Sequence, residues 1–260
     1  MADRIWTVER TGVSPIVAVA IHDGHSLREE LAALCAVSES HRRREEDSHT
    51  SRWTQVAATR IVGVRSRFEV DLNRPRHSAV YAGPEDAWGI QAWREHLGEP
   101  VLARSLAEYD AFYEDVENIL RGIANMFGHF VVLDLHSYNH RRTGPNGPPA
   151  DPAENPEVNV GTGTMDARWG PLADRFMSEL RSFDFLGRHL DVRENVKFRG
   201  GHLSRWIHET FPDSGCALAV EFKKFFMDEW TGDSDEEQID AIQKALRSTV
   251  PGLLAELERS

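Results

Sequence analysis

Two kinds of hydrophobic pattern alternate along the chain. "PIVAVAIHDGH", apolar over residues 16–21, "GHFVVLDLHSY" (128–138) and "GCALAVEFKKFF", apolar over 216–220, carry short uninterrupted apolar runs. A half-buried strand shows every second position apolar; a run this short and this continuous predicts a strand covered on both faces. Between the runs, apolar residues recur at helical spacing. "SLREELAALCAV" (26–37) places Leu27, Leu31 and Leu34 on one face, with Ser26 as N-cap and Glu29 completing a capping box. Residues 101–127 predict a long amphipathic helix, and residues 159–183 a Gly-rich turn followed by a helix. Residues 234–258 predict a helix broken near Pro251, with Ser234 as N-cap and Glu237 three residues on. Residues 58–75, "ATRIVGVRSRFEVDLNRP", predict one or two strands stopped by Pro75. No internal repeat interrupts this order.

Strands alternating with helices, and apolar throughout, predict an α/β domain. In such sheets ligands bind beyond the carboxyl ends of the strands. Three of the apolar runs end in titratable groups: His22, His136 and Glu221. The long segment 141–163, "RRTGPNGPPADPAENPEVNVGTG", is so rich in proline and glycine that neither helix nor strand is expected to run through it. It follows "DLHSY" directly and reads either as a mobile lid over the site or as a tolerated surface insertion.

Composition narrows the function classes. With 260 residues the chain is long enough for one large domain or two small ones with a sizeable core, and it is read as a single domain, 1–260. A net charge of -12 argues against nucleic-acid and anionic-membrane partners, which need basic patches. No segment approaches the roughly 20 apolar residues of a membrane helix, and "MADRIWTVERTG" has no signal-peptide run. Two cysteines are too few for a disulfide framework and point to the cytoplasm. The 12 histidines, several beside acids, direct attention to metal chemistry.

In "HDGHS" (22–26), His22 and His25 are spaced to converge on one ion, with Gly24 allowing a tight turn. The plainer reading is chance spacing, with Asp23 as a helix cap. Asp134 lies two residues before His136, points the same way along a strand and is placed to orient the ring. Glu221 ends a buried strand, where a carboxylate is costly unless it is paired or has a task. It is either a general base or the partner of Lys223 or Lys224. In "RSRFEVDLNRPR" (65–76), Arg74 offers a fork that fits a carboxylate, Asn73 can donate to the same anion, and Asp71 and Glu69 can order the arginines. The alternative there is a salt-bridged edge strand. "RREEDSHTSRW" (43–53) supplies a further metal carboxylate or is a solvated charge run. "FRGGHLSRW" (198–206) supplies Arg199 and an anion-holding glycine turn at a helix start, or a plain turn.

Taken in order, "HDGHS", "REEDSHT", "SRFEVDLNRP", "DLHSY", "GTGTMD", "FRGGHLS" and "AVEFKK" resemble the motifs of the N-formylglutamate amidohydrolase family, from about Val17 to about Lys224. That family is related to the zinc carboxypeptidases, where "HSY", "NR" and a strand-ending glutamate have similar counterparts. The resemblance implies a three-layer α/β/α sandwich with a mixed, mostly parallel central sheet. It implies one Zn2+ and cleavage of an N-acyl amino acid, N-formylglutamate for example, or of a short peptide. His22 and His136 look like zinc ligands, with Asp47 as the third and His25 and Glu45 as its rivals. Glu221 looks like the general base and Arg67 like a stabiliser of the oxyanion. Asn73 and Arg74 look like anchors of the substrate carboxylate, with Arg199 and Ser137 beside them. Two departures stand out: His25 occupies the place of a carboxypeptidase glutamate, and the proline usual after the opening histidine is missing. The rival readings on the same scaffold are a zinc peptidase and a protein that binds metal or an acidic ligand without turnover.

Overall fold

The protein is described from a computed structural model covering residues 4–259. Its elements run β1 (Trp6–Arg10), β2 (Ile16–Ala20), α1 (Glu29–Leu34), α2 (Glu39–Glu45), α3 (Thr50–Trp53), β3 (Thr59–Gly63), α4 (Glu99–Phe127), β4 (Phe130–Tyr138), β5 (Val158–Gly161), α5 (Gly170–Ser182), β6 (Val192–Glu194), α6 (His202–Thr210), β7 (Gly215–Lys223), α7 (Glu236–Ser248) and α8 (Val250–Leu257). The strands form one sheet in the order β1-β3-β2-β4-β7-β5-β6. β1/β3 and β7/β5 are antiparallel and the other four pairs parallel, so the sheet is mixed and mostly parallel.

The continuous apolar runs are the three central strands, and side-chain alternation sorts them onto two faces. Ile16, Ala18, Val131, Leu133, Leu135, Cys216, Leu218 and Val220 pack with Phe176 and Leu180 of α5, Ile242 and Leu246 of α7, and Leu253 of α8. Val17, Val19, Phe130, Val132 and Ala217 pack with Phe112, Val116 and Leu120 of α4 and Leu203 and Ile207 of α6. This is the α/β/α sandwich expected. Each fully buried Leu, Ile or Phe of the central strands contributes roughly 2 kcal/mol of transfer free energy, which makes their carboxyl ends stiff supports. A third cluster, with Leu31, Phe68, Tyr81, Ala87 and Trp93, holds the long excursion between β3 and α4 against α1.

Several local expectations are corrected. Ser26 does not cap α1. The chain stays extended there, bridging Arg65, with Ser66 N–H donating to Ser26 O at 2.8 Å, and the helix begins only after Arg28. Asp235, not Ser234, caps α7 by accepting from Gln238 N, because Ser234 is engaged in a bridge to Met227. Of residues 58–75 only β3 is strand. Beyond Gly63, buried Phe68, Glu69 and Asp71 draw the chain into an irregular path over the sheet end. Residues 158–161 of the supposed loop are β5, paired with both β7 and β6. The Pro- and Gly-rich part is confined to the preceding turns. β1, β6 and the short helices α2 and α3 carry too little periodicity to be anticipated. The helix from 99 to 127, the break between α7 and α8 and the glycine turn into α6 match expectation.

Candidate active site

β2, β4 and β7 lie side by side and point the same way, so their carboxyl ends open on one edge of the sheet. His22 follows β2, His136 lies near the end of β4, and Glu221 is its direct cross-strand neighbour on β7. The chain between α2 and α3 brings Asp47 over this edge, where Asp47 N–H donates to His22 O at 2.9 Å. Ligand atoms of His22, Asp47 and His136 all lie within 4.8 Å of one another, and all three residues are buried. Asp47 Oδ2 is 2.9 Å from His136 Nδ1 and 3.4 Å from His22 Nδ1.

The far ring nitrogens are held by carboxylates. His22 Nε2 donates to Asp71 Oδ1 at 2.7 Å, and its Nδ1, on the side of Asp47, is buried and without a hydrogen-bond partner. His136 Nε2 donates to Asp134 Oδ1 at 2.8 Å, the orientation anticipated from the spacing of the two residues along β4. Both nitrogens of His136 thus face carboxylates. Burial alone would lower its pKa, but Asp134, Glu221 and Asp47 outweigh burial and hold it well above the ordinary value. Asp47 is the converse: burial opposes its charge, and the two imidazoles keep it far below the usual carboxylate range. Asp71 is also held well below that range against burial, by Arg67, His22 and Tyr81.

Glu221 is partly buried, and its carboxylate makes no hydrogen bond or ion pair with another described residue. Burial pushes its pKa up to about 7, reinforced by Asp47 and Asp134 and opposed by His136 and Arg67. The alternative of a pair with Lys223 or Lys224 is not what forms. Lys223 Nζ donates to Asn155 O, and Lys224 Nζ to Arg44 O at 2.6 Å and Glu46 O at 2.8 Å. Lys224, only 1% exposed, thereby ties the stretch leading to Asp47 to the end of β7.

These groups line a cavity of about 360 Å³ with Glu45, Arg67, Asn73, Ser137, Arg142, Arg199 and Lys224 among its walls. Ser137 Oγ and Asn139 Oδ1 are buried there without a partner. The side chain of Arg199, exposed on the wall, makes no hydrogen bond or ion pair with another described residue, while its backbone O accepts from Gly163 N at 2.8 Å. Glycines explain its placement: a Cβ on Gly161 would meet Gly200 N at 2.5 Å, and one on Gly163 would meet Arg199 Cβ at 2.8 Å. Gly24 is needed for close approach rather than for a turn, since its Cβ would lie 2.3 Å from Val64 C.

Other candidates are placed differently. His25 Nδ1 faces Glu46 at 2.7 Å, and Glu45 pairs with Arg142 at 3.2 Å; neither joins the cluster of His22, Asp47 and His136. Arg74 does not line the cavity. Its guanidinium lies 3.4 Å from Asp71, stacks on Tyr81 and donates to Asp86 O. The side chain of Asn73 reaches the cavity wall, but its Oδ1 accepts from Leu203 N at 2.9 Å at the start of α6. Glu69 pairs with Arg28 and Arg65 rather than with Arg67 or Arg74. Lys197, Arg142 and Trp88 were missed because they sit in irregular segments without motif spacing. The one available signal was "AWG", a tryptophan beside a glycine inside a turn-rich segment.

A carboxylate of raised pKa and two buried imidazoles thus meet at the carboxyl edge of a mixed α/β sheet. The sequence profile of N-formylglutamate amidohydrolase matches residues 14–226. The chain therefore belongs to the N-formylglutamate amidohydrolase family, hydrolases that act on an amide. Among solved structures, N-formylglutamate amidohydrolase from Ralstonia eutropha superposes with a TM-score of 0.78 at 17% identity, covering 98% of each chain. A gene product of Agrobacterium tumefaciens superposes with a TM-score of 0.70 at 18% identity, covering 98% of this chain and 96% of that one. Both share the fold. No curated protein matches the chain in sequence.

Proposed function

We propose that the protein is a zinc-dependent amidohydrolase that cleaves an N-acyl, foremost an N-formyl, acidic amino acid such as N-formylglutamate. The observation that carries this reading is the meeting of His22, Asp47, His136 and Glu221 in one cavity of a chain from this family. Two imidazoles and a carboxylate are a fitting zinc donor set. The orphaned Nδ1 of His22 fits as well, as do the carboxylates behind both rings. His136 Nδ1 and Asp47 Oδ2, 2.9 Å apart, would both hold the ion. When bound, the ion polarises an amide carbonyl and acidifies water.

The chain's own groups do the rest. Glu221, with a pKa near neutrality, takes a proton from the attacking water and returns it to the leaving nitrogen. Arg67, fixed by Asp71 at 2.9 Å and by the Tyr81 hydroxyl at 3.2 Å, faces the developing oxyanion. The substrate carboxylate goes to Arg199, with Lys197 nearby, because Arg74 is turned away from the cavity. Ser137 Oγ and Asn139 Oδ1 supply the neutral contacts.

Glu221→Gln keeps the shape and removes the base. It is expected to lower kcat on N-formylglutamate by roughly 10²-fold or more while the zinc content of the purified protein stays at the wild-type level. A near wild-type rate in that variant sinks the assignment.

A further inference from the structure

Trp88 is an oddity of the outer wall. The residue is 46% exposed, although a tryptophan is normally kept from water. Its φ is +53°, a left-handed conformation that bulky residues rarely adopt, and Gly89 follows at +86°. The turn carrying it is nevertheless well built. Asp86 accepts from Ala82 N at 2.8 Å, Gly89 N donates to Pro84 O and Ile90 N to Ala87 O, both at 2.8 Å, and Ala87 is fully buried. Arg74, the arginine turned away from the cavity, donates to Asp86 O and so braces the same turn. A strained, exposed residue held by a rigid turn is being presented to something.

What it faces is the active-site cavity, of which Trp88 forms part of the wall. The Arg67 guanidinium lies 4.8 Å from the ring centroid and that of Arg142 lies 6.0 Å from it. Arg142 comes from the other side, from the segment after β4, and is tied to Glu45. Two irregular segments therefore meet at this wall through one aromatic ring and two cations.

We propose that Trp88 is the specificity-determining wall for the acyl group. The inference rests on the amidohydrolase reading above. With the carbonyl oxygen beside Arg67 and the carboxylate at Arg199 and Lys197, the acyl substituent lies against whatever covers Arg67. That cover is the indole of Trp88, which limits the substituent to a small one.

The test compares wild type with Trp88→Ala on N-formyl-, N-acetyl- and N-benzoyl-L-glutamate. The ratio of kcat/KM for the benzoyl substrate to that for the formyl substrate is expected to rise at least tenfold in the variant. Trp88→Gly, which relaxes the left-handed backbone, must show the same altered preference, because the wall is the ring and not the strain. An equal fall on all three substrates would mean that the ring only steadies Arg67, and it overturns the proposal. So does an unchanged ratio, or a disagreement between the Ala and Gly variants. If wild type hydrolyses none of the three, the hydrolase reading fails by itself. The same compounds are then titrated calorimetrically into both proteins. A tenfold shift of relative Kd toward the benzoyl compound in Trp88→Ala supports the wall, and no shift, or no binding, rejects it.

Discussion

Replacing Asp71 by asparagine tests the support behind the site in a single step. Its carboxylate accepts from His22 Nε2 at 2.7 Å, Arg67 Nη2 at 2.9 Å, the Tyr81 hydroxyl at 2.6 Å and Asn73 N at 2.9 Å, with Arg74 Nε at 3.4 Å. In asparagine the remaining oxygen can still serve His22 and Asn73. The new amide then faces Arg67 and Tyr81. The hydroxyl of Tyr81 can rotate and accept, but a guanidinium has no acceptor. Arg67 is left largely buried without its anion, a loss of about 3 kcal/mol, the low end for breaking a buried pair because its side chain keeps some contact with solvent. For a chain of this size that corresponds to a fall in Tm of roughly 6–12 °C. On the zinc reading proposed above, loss of the carboxylate behind His22 should also weaken binding of the ion by about 10–100-fold. Thermal unfolding followed by circular dichroism reads the first effect, and competition with a chromogenic chelator reads the second. A Tm close to that of wild type together with unchanged zinc affinity would refute the view that Asp71 organises the site.

Two further outcomes follow from individual contacts. Gly161→Ala puts a methyl group against the backbone of Gly200 and Arg199, so β5 must part from that stretch. About 1–3 kcal/mol of stability should be lost, and steady-state kinetics should show a rise in KM more than a fall in kcat as Arg199 is displaced. His208 accepts from Ala217 N, and burial holds its pKa down at about 4 against an ordinary 6.5. The unfolded chain therefore binds the extra proton first, and stability is lost as pH falls from about 6.5 through about 4, by roughly 2 kcal/mol at about pH 5 and roughly 3 at about pH 4. Urea unfolding of wild type should show that loss above the background retained by His208→Gln; equal slopes would contradict it.

The parts of the molecule that could be read in advance are those where one physical demand dominates. The central strands are covered on both faces, so their sequences are apolar at every position, and the polar residue that ends each run is conspicuous. That is how His22, His136 and Glu221 stood out. Asp134 was readable because side chains two apart on a strand share a face. The rest depends on long-range geometry that no local pattern records. Arg74 looked like an anion anchor by type and neighbourhood, yet Asp71, three residues back, claims it. Lys224 was an alternative partner for Glu221 and proves to be buried, with backbone carbonyls as its partners instead. β5 is hidden in a Pro- and Gly-rich stretch because its identity comes from pairing with β7, not from its own composition. Gly24, Gly161 and Gly163 read as turn residues, whereas the demand on them is room for a neighbouring backbone.

All nine residues of β4 are buried, and the strand lies between β2 and β7 with helices on both faces. Local opening in proteins starts where few contacts hold the chain, at loops and frayed ends, and reaches such a strand only with global unfolding. His136 sits two residues from the end of this strand, beside Glu221. Of the groups given roles in the proposed reaction, His136 and Glu221 are thus mounted on the part of the molecule that comes apart last, whereas Asp47 and Arg67 reach the cavity from irregular segments. Warming should therefore loosen Asp47 and Arg67 before it moves His136 and Glu221, so that the cavity loses its outer members while the sheet still stands.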